Sequence, residues 1–359
     1  MAKKTLTAAR PPEIALLLPE ALASGAADAV RELLAEAAAA NTTRSYATAL
    51  RYWAGWHQAR YGTEMVLPLS EATVIQFLVD HIVRRSKSGY ATELPPEIDR
   101  ALVAAGLKAK PGALKLSTVC QRMAVMSTAH RLKRLGNPCE LPTVRTLLSR
   151  ARRSSIKRGE RPTKKTAITR PELEAMLATC DDSLEGVRDR ALLCFGFASG
   201  GRRRSEIATA DMRDLRRTGA ESYVYRLEHS KTQQAGPAVG STPDKPILGR
   251  SARALSAWIK AAGITEGPIF RRLWKNRVGP PLLPESVASI VKRRAQMAGL
   301  AGNFGAHSLR SGFVTEAGRQ GVPLPAVMAM TEHRSVASVI GYFQSGAAEQ
   351  NPAAFLLKD

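Results

Sequence analysis

Apolar side chains recur at the spacing of an α-helix along most of the chain, so the sequence predicts a largely helical protein. The clearest case is residues 41–60, where Asn41-Thr42-Thr43 offers an N-cap. One face of this helix carries the apolar positions Tyr46, Ala49, Leu50, Trp53 and Trp56. Comparable patterns predict helices over 26–40, 69–83 and 117–135, whereas 84–115 is interrupted by glycine and proline and is predicted to be irregular. The first part of the chain is therefore expected to be a helical domain.

The second half of the chain predicts more helices around one pair of strands. Thr169 offers an N-cap with Pro171 soon after it, and helices are predicted over 188–197, from Leu255 onward, over 288–298, around His307 and over 325–330. Residues 223–227 alternate like a strand, and 245–248 is the predicted returning strand after a turn at Gly236-Pro237. The predicted fold class is mainly α: a helical N-terminal domain plus a mostly helical domain with a small antiparallel β-sheet.

The net charge of the chain indicates which class of molecule it binds. Lys and Arg number 53 against 31 Asp and Glu, which gives a formal net charge of +22. Such an excess suits a polyanion, either nucleic acid or an anionic membrane surface. No apolar run approaches the ~18 residues that a spanning helix needs, and residues 14–18 are too short for a secretory signal. We therefore expect a nucleic-acid partner, either DNA or RNA, no membrane, and a cytoplasmic protein associated with that nucleic acid.

The four cysteines show no C-x-x-C spacing and no clustered histidines. Three of them lie in apolar or helical surroundings, which is typical of small buried hydrophobes in a reducing compartment. Neither a zinc site nor a disulfide framework is indicated.

A basic segment predicts the domain boundary. Residues 145–165 hold nine Lys or Arg and one acid, Glu160. We interpret this as a helix end that passes into an extended linker able to follow a phosphate backbone. The predicted organisation is a flexible arm over 1–25, a helical DNA-binding domain over 26–155, a basic linker over 156–167, a second domain over 168–345 and a tail over 346–359.

Polar faces of the predicted helices are candidates for DNA contact. Two helices carry basic or amide side chains away from their apolar stripes, and the basic segment adds four more positions. The alternative is that these faces are merely solvated. The candidate DNA-binding residues are Arg44, Thr48, Arg51, Gln121, Arg122, Arg152, Arg153, Lys157 and Arg158.

The last sixty residues contain the pattern that indicates most about chemical function. His307 and Arg310 stand three residues apart on a predicted helix, so they project from one face and can converge on one small anion. Phosphate is the obvious anion, because a guanidinium matches its oxygens bidentately. Taken alone, the pair could equally be a surface His–Arg pair.

Further residues favour the phosphate interpretation. In chain order the sequence shows Arg203-x-x-Glu206, Lys231, His307-x-x-Arg310, His333 and, nine residues later, Tyr342. This order resembles the tyrosine recombinase (phage integrase) family and its Cre-like members, over about residues 40–345. The resemblance implies the fold of that family, with a core-binding domain and a catalytic domain. It also implies a site-specific DNA recombinase, in which a 3′-phosphotyrosyl intermediate leads to strand exchange between two sites through a Holliday junction.

Three of these residues would hold the phosphate, and a fourth would hold one of the catalytic side chains in place. Arg203 and Arg310 would bind its two non-bridging oxygens, where negative charge concentrates in the transition state. His333 would donate to a non-bridging oxygen, and Glu206 would hold Arg203 or His307 in place. Because cationic side chains supply the charge stabilisation, we expect no metal and no cofactor.

Three residues would make and break the bonds. Tyr342 is the expected nucleophile, since a phosphotyrosine linkage keeps the phosphoester bond and lets the strand be rejoined without ATP. Lys231 would protonate the departing 5′ oxygen as the general acid. His307 would accept the Tyr342 proton or hydrogen-bond the phosphate.

The chain departs from the family pattern at two places. The residue before the first catalytic arginine is usually apolar, but here Arg202, Arg203 and Arg204 are consecutive. Arg203 is favoured because it stands three residues before Glu206, with Arg202 as the second choice. Glu332 precedes His333 where glycine is usual in the family.

The resemblance also implies an assembly. The apolar end of the tail is expected to dock on a neighbouring protomer, giving a homotetramer on two double-stranded DNA sites. Packing of the tail on its own domain is the alternative. Two other functions also stay open at this point: a type IB topoisomerase-like enzyme that relaxes DNA, and a catalytically silent DNA-binding accessory protein.

Overall fold

The computed structural model describes residues 40–342 except 88, 161–163, 229–241 and 276. The chain divides into two compact units, Met1–Pro162 and Thr163–Asp359. The predicted arm, residues 26–39 of the predicted helix over 26–40, the turn at Gly236-Pro237 and the tail lie outside the described residues. The proposed limits of the arm, linker and tail stay predictions.

The first unit is helical, as predicted. It is built around the aromatic residues of the first two helices, with Trp53 stacked on Phe77 at 3.6 Å between ring centroids. Trp56 meets both rings edge-on and donates its indole N–H to Asp80. The five helices are α1 (Ala40–Tyr61), α2 (Glu71–His81), α3 (Pro96–Ala104), α4 (Leu116–Leu132) and α5 (Pro142–Lys157).

The expectation that 84–115 is less regular was wrong for residues 84–104, whereas 105–115 contains no helix or strand. This stretch contains a hairpin of β1 (Arg84–Ser86) and β2 (Gly89–Ala91), followed by α3. Pro95 and Pro96, two of the prolines that suggested a break, stand at the start of α3, where proline is well tolerated. After α3, a buried Lys108–Asp99 ion pair and a hydrogen bond from the Gly112 N–H to Asp99 hold the chain in place.

The second unit combines helices with two separate antiparallel sheets. Its helices are α6 (Arg170–Ala178), α7 (Leu184–Ala198), α8 (Arg204–Ala208), α9 (Arg250–Ala261), α10 (Pro284–Met297), α11 (Ala306–Arg319), α12 (Leu324–Thr331) and α13 (Val336–Tyr342). Its strands are β3 (Leu215–Gly219), β4 (Ser222–Arg226), β5 (Asp244–Leu248), β6 (Arg271–Trp274) and β7 (Arg277–Pro281). The predicted pairing of 223–227 with 245–248 is confirmed, with Tyr225 opposite Lys245.

Strand β3 and the β6–β7 hairpin were missed. Strand β3 is mostly exposed and carries Arg216 and Arg217, so no apolar alternation marks it. It is held by main-chain pairing with β4 rather than by a buried face of its own. The expectation of one small sheet is therefore corrected to a three-stranded sheet, β3-β4-β5, and a separate two-stranded one.

Thr169 is the N-cap of α6, as predicted. The Thr169 N–H donates to Glu172 at 2.8 Å, which is one half of a capping box at the start of α6.

All four cysteines are free, and Cys139, Cys180 and Cys194 are buried. Within the described ranges, no helix is long and apolar enough to cross a membrane.

Candidate active site

Helix α11 presents the His307–Arg310 pair. Arg310 is fully buried, whereas His307, in the first turn of the helix, is exposed. The two side chains therefore stand three residues apart on one helix, with His307 exposed and Arg310 buried. Arg310 Nη1 donates to the Gly201 carbonyl at 3.2 Å, and Nη2 donates to the Thr331 carbonyl at 2.5 Å. These bonds fix the plane of the guanidinium.

A glycine lets the loop before α8 approach α11 this closely. Gly201 has φ +68°, and a Cβ atom there would lie 2.5 Å from the Arg310 Cα. Any other residue would separate the two segments, as well as being strained by the positive φ. The loop that carries the candidate arginines is thus seated on the backbone of the helix that carries Arg310.

Helix α8 begins with an Arg–Glu pair. Arg203 Nη1 lies 2.6 Å from Glu206 Oε1, and the Arg203 backbone N–H donates to Glu206 Oε2 at 3.0 Å. Burial acts to raise the pKa of Glu206, but the charges of Arg202 and Arg203 and the Arg203 hydrogen bonds outweigh it and lower that pKa. Glu206 is therefore a buried carboxylate that holds Arg203 by its head group and its backbone.

The three consecutive arginines have different environments. Arg203 is half-buried against Glu206, and Arg204 is exposed. Arg202 is fully buried, with Nη2 donating to the carbonyls of Met330 at 2.5 Å and Gly200 at 3.3 Å. The choice of Arg203 as the catalytic arginine stays a prediction, now supported by its ion pair with Glu206 and its partial exposure.

His333 lies against Arg310. Its Nε2 is 3.2 Å from Arg310 Nη2, and its Nδ1 is 2.7 Å from the Thr331 hydroxyl. Because a guanidinium can only donate, Nε2 is the acceptor and Nδ1 carries the proton, which it donates to Thr331. Burial, together with the charges of Arg310, Arg203 and Arg202, lowers the pKa of His333 to about 4. The imidazole is thus neutral near pH 7.

The turn before His333 is bound by Lys245, a residue whose role sequence reasoning missed. Glu332 has a left-handed backbone, with φ +57°, and its carboxylate lies 2.5 Å from Lys245 Nζ. Lys245 is fully buried and also donates to the Ala329 carbonyl at 2.6 Å. The sequence did flag Glu332 as unusual, but nothing local identifies Lys245 as its partner.

The remaining two catalytic candidates are described only in part. Tyr342 is the last residue of α13, and only its backbone is described. Lys164 Nζ donates to the carbonyl of Gly341 at 3.1 Å, so the segment before α6 is bonded to the helix end that carries Tyr342. Lys231 lies outside the described residues. Within the described ranges, no cluster of His, Cys, Asp or Glu could hold a metal.

The candidate DNA-binding face of the first unit is mostly exposed. Arg44, Thr48 and Arg51 lie on the exposed face of α1, and Gln121 of α4 donates to Ser45 at 3.0 Å. Between α1 and α4 lies an open depression of about 310 Å³ lined by Arg44, Thr48 and Gln121. On α5 and at its end, Arg152, Arg153 and Lys157 are exposed and Arg158 is half-buried.

Arg122 differs from expectation. It was predicted to lie off the apolar stripe of its helix, but it is only 7% exposed. Its guanidinium carbon lies 3.2 Å from the centroid of the Tyr52 ring, a cation–π contact. A flat cation can cover an aromatic face, so Arg122 is part of the packing between α1 and α4.

Comparison of the sequence with known proteins agrees with the geometry of this site. The Phage integrase family matches residues 166–349. An integrase/recombinase XerD homolog from Selenomonas ruminantium is 33% identical over 245 residues, covering 65% of this chain and 69% of the relative. Recombinase Cre of Escherichia phage P1 is 24% identical over 271 residues, covering 68% of this chain and 76% of the relative.

Solved structures share the fold. The XerH site-specific recombinase in a post-cleavage complex with a palindromic difH substrate is 15% identical, with a TM-score of 0.54 over 88% of this chain and 80% of that chain. A lambda integrase (75–356) dimer bound to a COC′ core site is 14% identical, with a TM-score of 0.50 over 92% of this chain and 98% of that chain. The protein belongs to the phage integrase family and is a tyrosine-type site-specific DNA recombinase.

Proposed function

We propose that this recombinase cleaves and rejoins duplex DNA through a 3′-phosphotyrosyl bond to Tyr342, and exchanges strands between two sites through a Holliday junction. The observation that carries the proposal is the meeting of Arg310, His333 and the Arg203–Glu206 pair within one unit. Arg310 and His333 are in contact, and the Arg203 loop is seated on the backbone of Arg310. Two arginines and an imidazole that can be protonated are thus gathered where a phosphate could be bound.

Arg203 and Arg310 would bind the non-bridging oxygens of the scissile phosphate. The Arg310 guanidinium is held by two main-chain carbonyls, so little reorganisation would accompany binding. Glu206 would keep Arg203 in register. Because both cations are wholly or partly buried, their attraction to a phosphate would be stronger than in water.

Proton transfer would involve three other side chains. Tyr342 would attack the phosphorus while its phenolic proton passes to His307, which is exposed on α11. Lys231 would protonate the departing 5′ oxygen. His333 is neutral in the free protein, and a bound phosphate would favour its protonation, so that Nε2 turns from acceptor to donor.

The partner would be a specific double-stranded recombination site. The exposed basic residues of α1 and α5 would contact it, and the XerH and lambda integrase structures described above are complexes with DNA sites. We propose that Arg44, Thr48, Arg51 and Gln121 face the duplex, with Arg152, Arg153, Lys157 and Arg158 near its backbone. Two such sites would be held by a homotetramer.

The test is cleavage of a nicked suicide substrate, whose site is first selected from a random duplex library by binding to the protein. The wild-type protein should form a DNA adduct that survives SDS, and Tyr342→Phe should form none while binding the same DNA. Arg310→Ala should also lose adduct formation, because the phosphate loses its buried cation.

Efficient relaxation of supercoiled DNA by dilute protein without any strand exchange would instead indicate a topoisomerase. Binding without any adduct would indicate a silent accessory protein.

A further inference from the structure

The end of helix α12 is bound by three buried cations. Its last three backbone carbonyls belong to Ala329, Met330 and Thr331. Lys245 Nζ binds the first at 2.6 Å, Arg202 Nη2 the second at 2.5 Å, and Arg310 Nη2 the third at 2.5 Å. Carbonyls at a helix C-terminus have no partner within the helix and carry its negative dipole end, so cations are favoured there.

The three cations come from separate parts of the second unit. Lys245 lies on β5, Arg202 in the loop before α8, and Arg310 on α11, and all three are fully buried. Their contacts therefore join a strand, a loop and a helix to one turn. That turn leads directly to His333 and, three residues later, to the start of α13.

Glu332 completes the arrangement. Its left-handed backbone, with φ +57°, is unfavourable for a residue with a Cβ atom. The Glu332 N–H donates to the Met328 carbonyl at 2.8 Å, and its buried carboxylate pairs with Lys245. Arg202 and Glu332 are also the two positions at which the sequence departs from the family pattern, and the structure brings both to the same helix end.

We propose that Arg202, Lys245 and Glu332 are positioning residues that lock the end of α12 and so hold His333 against Arg310 for DNA cleavage. This inference rests on the function proposed above. None of the three would touch DNA. Arg202 and Lys245 are fully buried and directed at main-chain carbonyls, and Glu332 is directed at Lys245.

The first test separates positioning from phosphate contact at Arg202. Arg202→Leu should leave the Kd for the DNA site and its salt dependence unchanged. It should slow single-turnover adduct formation by about ten- to a hundredfold, the range expected when reacting groups are misplaced by about 1 Å. Arg202→Lys should recover part of the rate, because an ammonium group can still donate to the Met330 carbonyl. A direct phosphate contact would instead weaken binding and reduce the salt slope by about 1.

The second test asks whether Lys245 and Glu332 act as a unit. Lys245→Met and Glu332→Gly each remove one partner of a buried ion pair, which is more damaging than removing both. The double variant should therefore cleave faster than the product of the two single effects predicts. In each single variant the His333 ring resonances and pKa should shift in NMR spectra of the free protein. Among the described residues, Arg310, Arg203 and Arg202 are charged groups that act on this ring.

Arg294→Met is the matched control. Arg294 is also a buried arginine that donates to a helix-end carbonyl, that of Thr179 at 2.6 Å, and it pairs with Asp189. This variant should lower stability but leave the cleavage rate of the folded protein and the His333 resonances unchanged.

The outcomes are distinct. If the wild-type protein forms no adduct, the proposed function fails. If it does, and the Arg202 and Lys245/Glu332 variants cleave like wild type, or no more slowly than Arg294→Met, the positioning role is refuted while the function stands. Additive effects of Lys245→Met and Glu332→Gly would also refute it, because they would show two independent residues.

Discussion

Glu206→Gln should strongly destabilise the second unit, although the substitution changes few atoms. Glu206 is 4% exposed and is the carboxylate between Arg203, at 2.6 Å, and the fully buried Arg202, at 3.8 Å. Removal of one partner from a buried ion pair costs about 3–5 kcal/mol. The amide oxygen of glutamine can still accept the Arg203 backbone N–H, so we expect about 3 kcal/mol, the low end of that range.

Calorimetry can measure this change. The second unit is roughly 200 residues long, and for that size 1 kcal/mol corresponds to about 2–4 °C in Tm. The transition of the second unit should therefore fall by about 6–12 °C in Glu206→Gln. Glu174→Gln is the control, because Glu174 pairs with Arg250 at the surface, where both side chains are about half exposed. It should change stability by less than about 1 kcal/mol.

The effect should also depend on pH in a defined direction. The pKa of Glu206 is lowered in the folded protein from an ordinary value of 4.5. Its charge therefore contributes stability that is fully present above pH 4.5 and is lost as pH falls through the lower folded value. The difference in Tm between wild type and Glu206→Gln should shrink on acidification. An equal Tm at pH 7, or a gap that does not change with pH, would refute the reasoning.

Three further results are expected. The pKa of His333 should be about 4 in NMR titration of the free protein and should rise when the DNA site is bound, because a phosphate favours the protonated ring; no rise would mean that His333 does not face the phosphate. Trp53→Ala should destabilise the first unit by about 3–5 kcal/mol in hydrogen-exchange measurements, since it removes a fully buried indole stacked on Phe77. Arg51→Ala should reduce the slope of log Kd against log salt by about 1, whereas Arg122→Ala should mainly lower stability because its guanidinium covers Tyr52. Equal salt slopes for the two variants would contradict the assignment of exposed and buried roles.

The parts of the fold that were predictable have local causes. Helix α1 was predicted from its apolar period and α6 from its N-cap, because both signals lie within a few residues of the element they specify. Strand β3 and the β1–β2 hairpin have no such signal. Each is specified by main-chain pairing with a neighbouring strand, which leaves little trace in short polar segments.

The candidate active site also has features that the sequence predicts and features that it does not. The spacing of His307 and Arg310 placed both on one helix, and the spacing of Arg203 and Glu206 is matched by a direct ion pair. Burial was not predictable in this way. Arg122 became part of a helix interface through Tyr52, a residue seventy positions earlier.

Contacts between distant residues were out of reach of sequence reasoning. Arg202 and Lys245 are bound to the end of α12, and their partners lie more than eighty residues away along the chain. Only the unusual Glu332 hinted at a special turn. The identity of its partner required the structure, because no spacing rule relates a strand lysine to a helix end.

The most direct test of the account is to identify the residue that becomes joined to DNA. The covalent complex formed on the suicide substrate would be digested with protease and nuclease, and the nucleotide-bearing peptide sequenced by mass spectrometry. The account predicts a peptide containing Tyr342, linked through its phenolic oxygen to a 3′-phosphate, with the 5′ end of the cut strand left as a free hydroxyl. A nucleotide on any other residue, or a linkage to the 5′-phosphate, would contradict it.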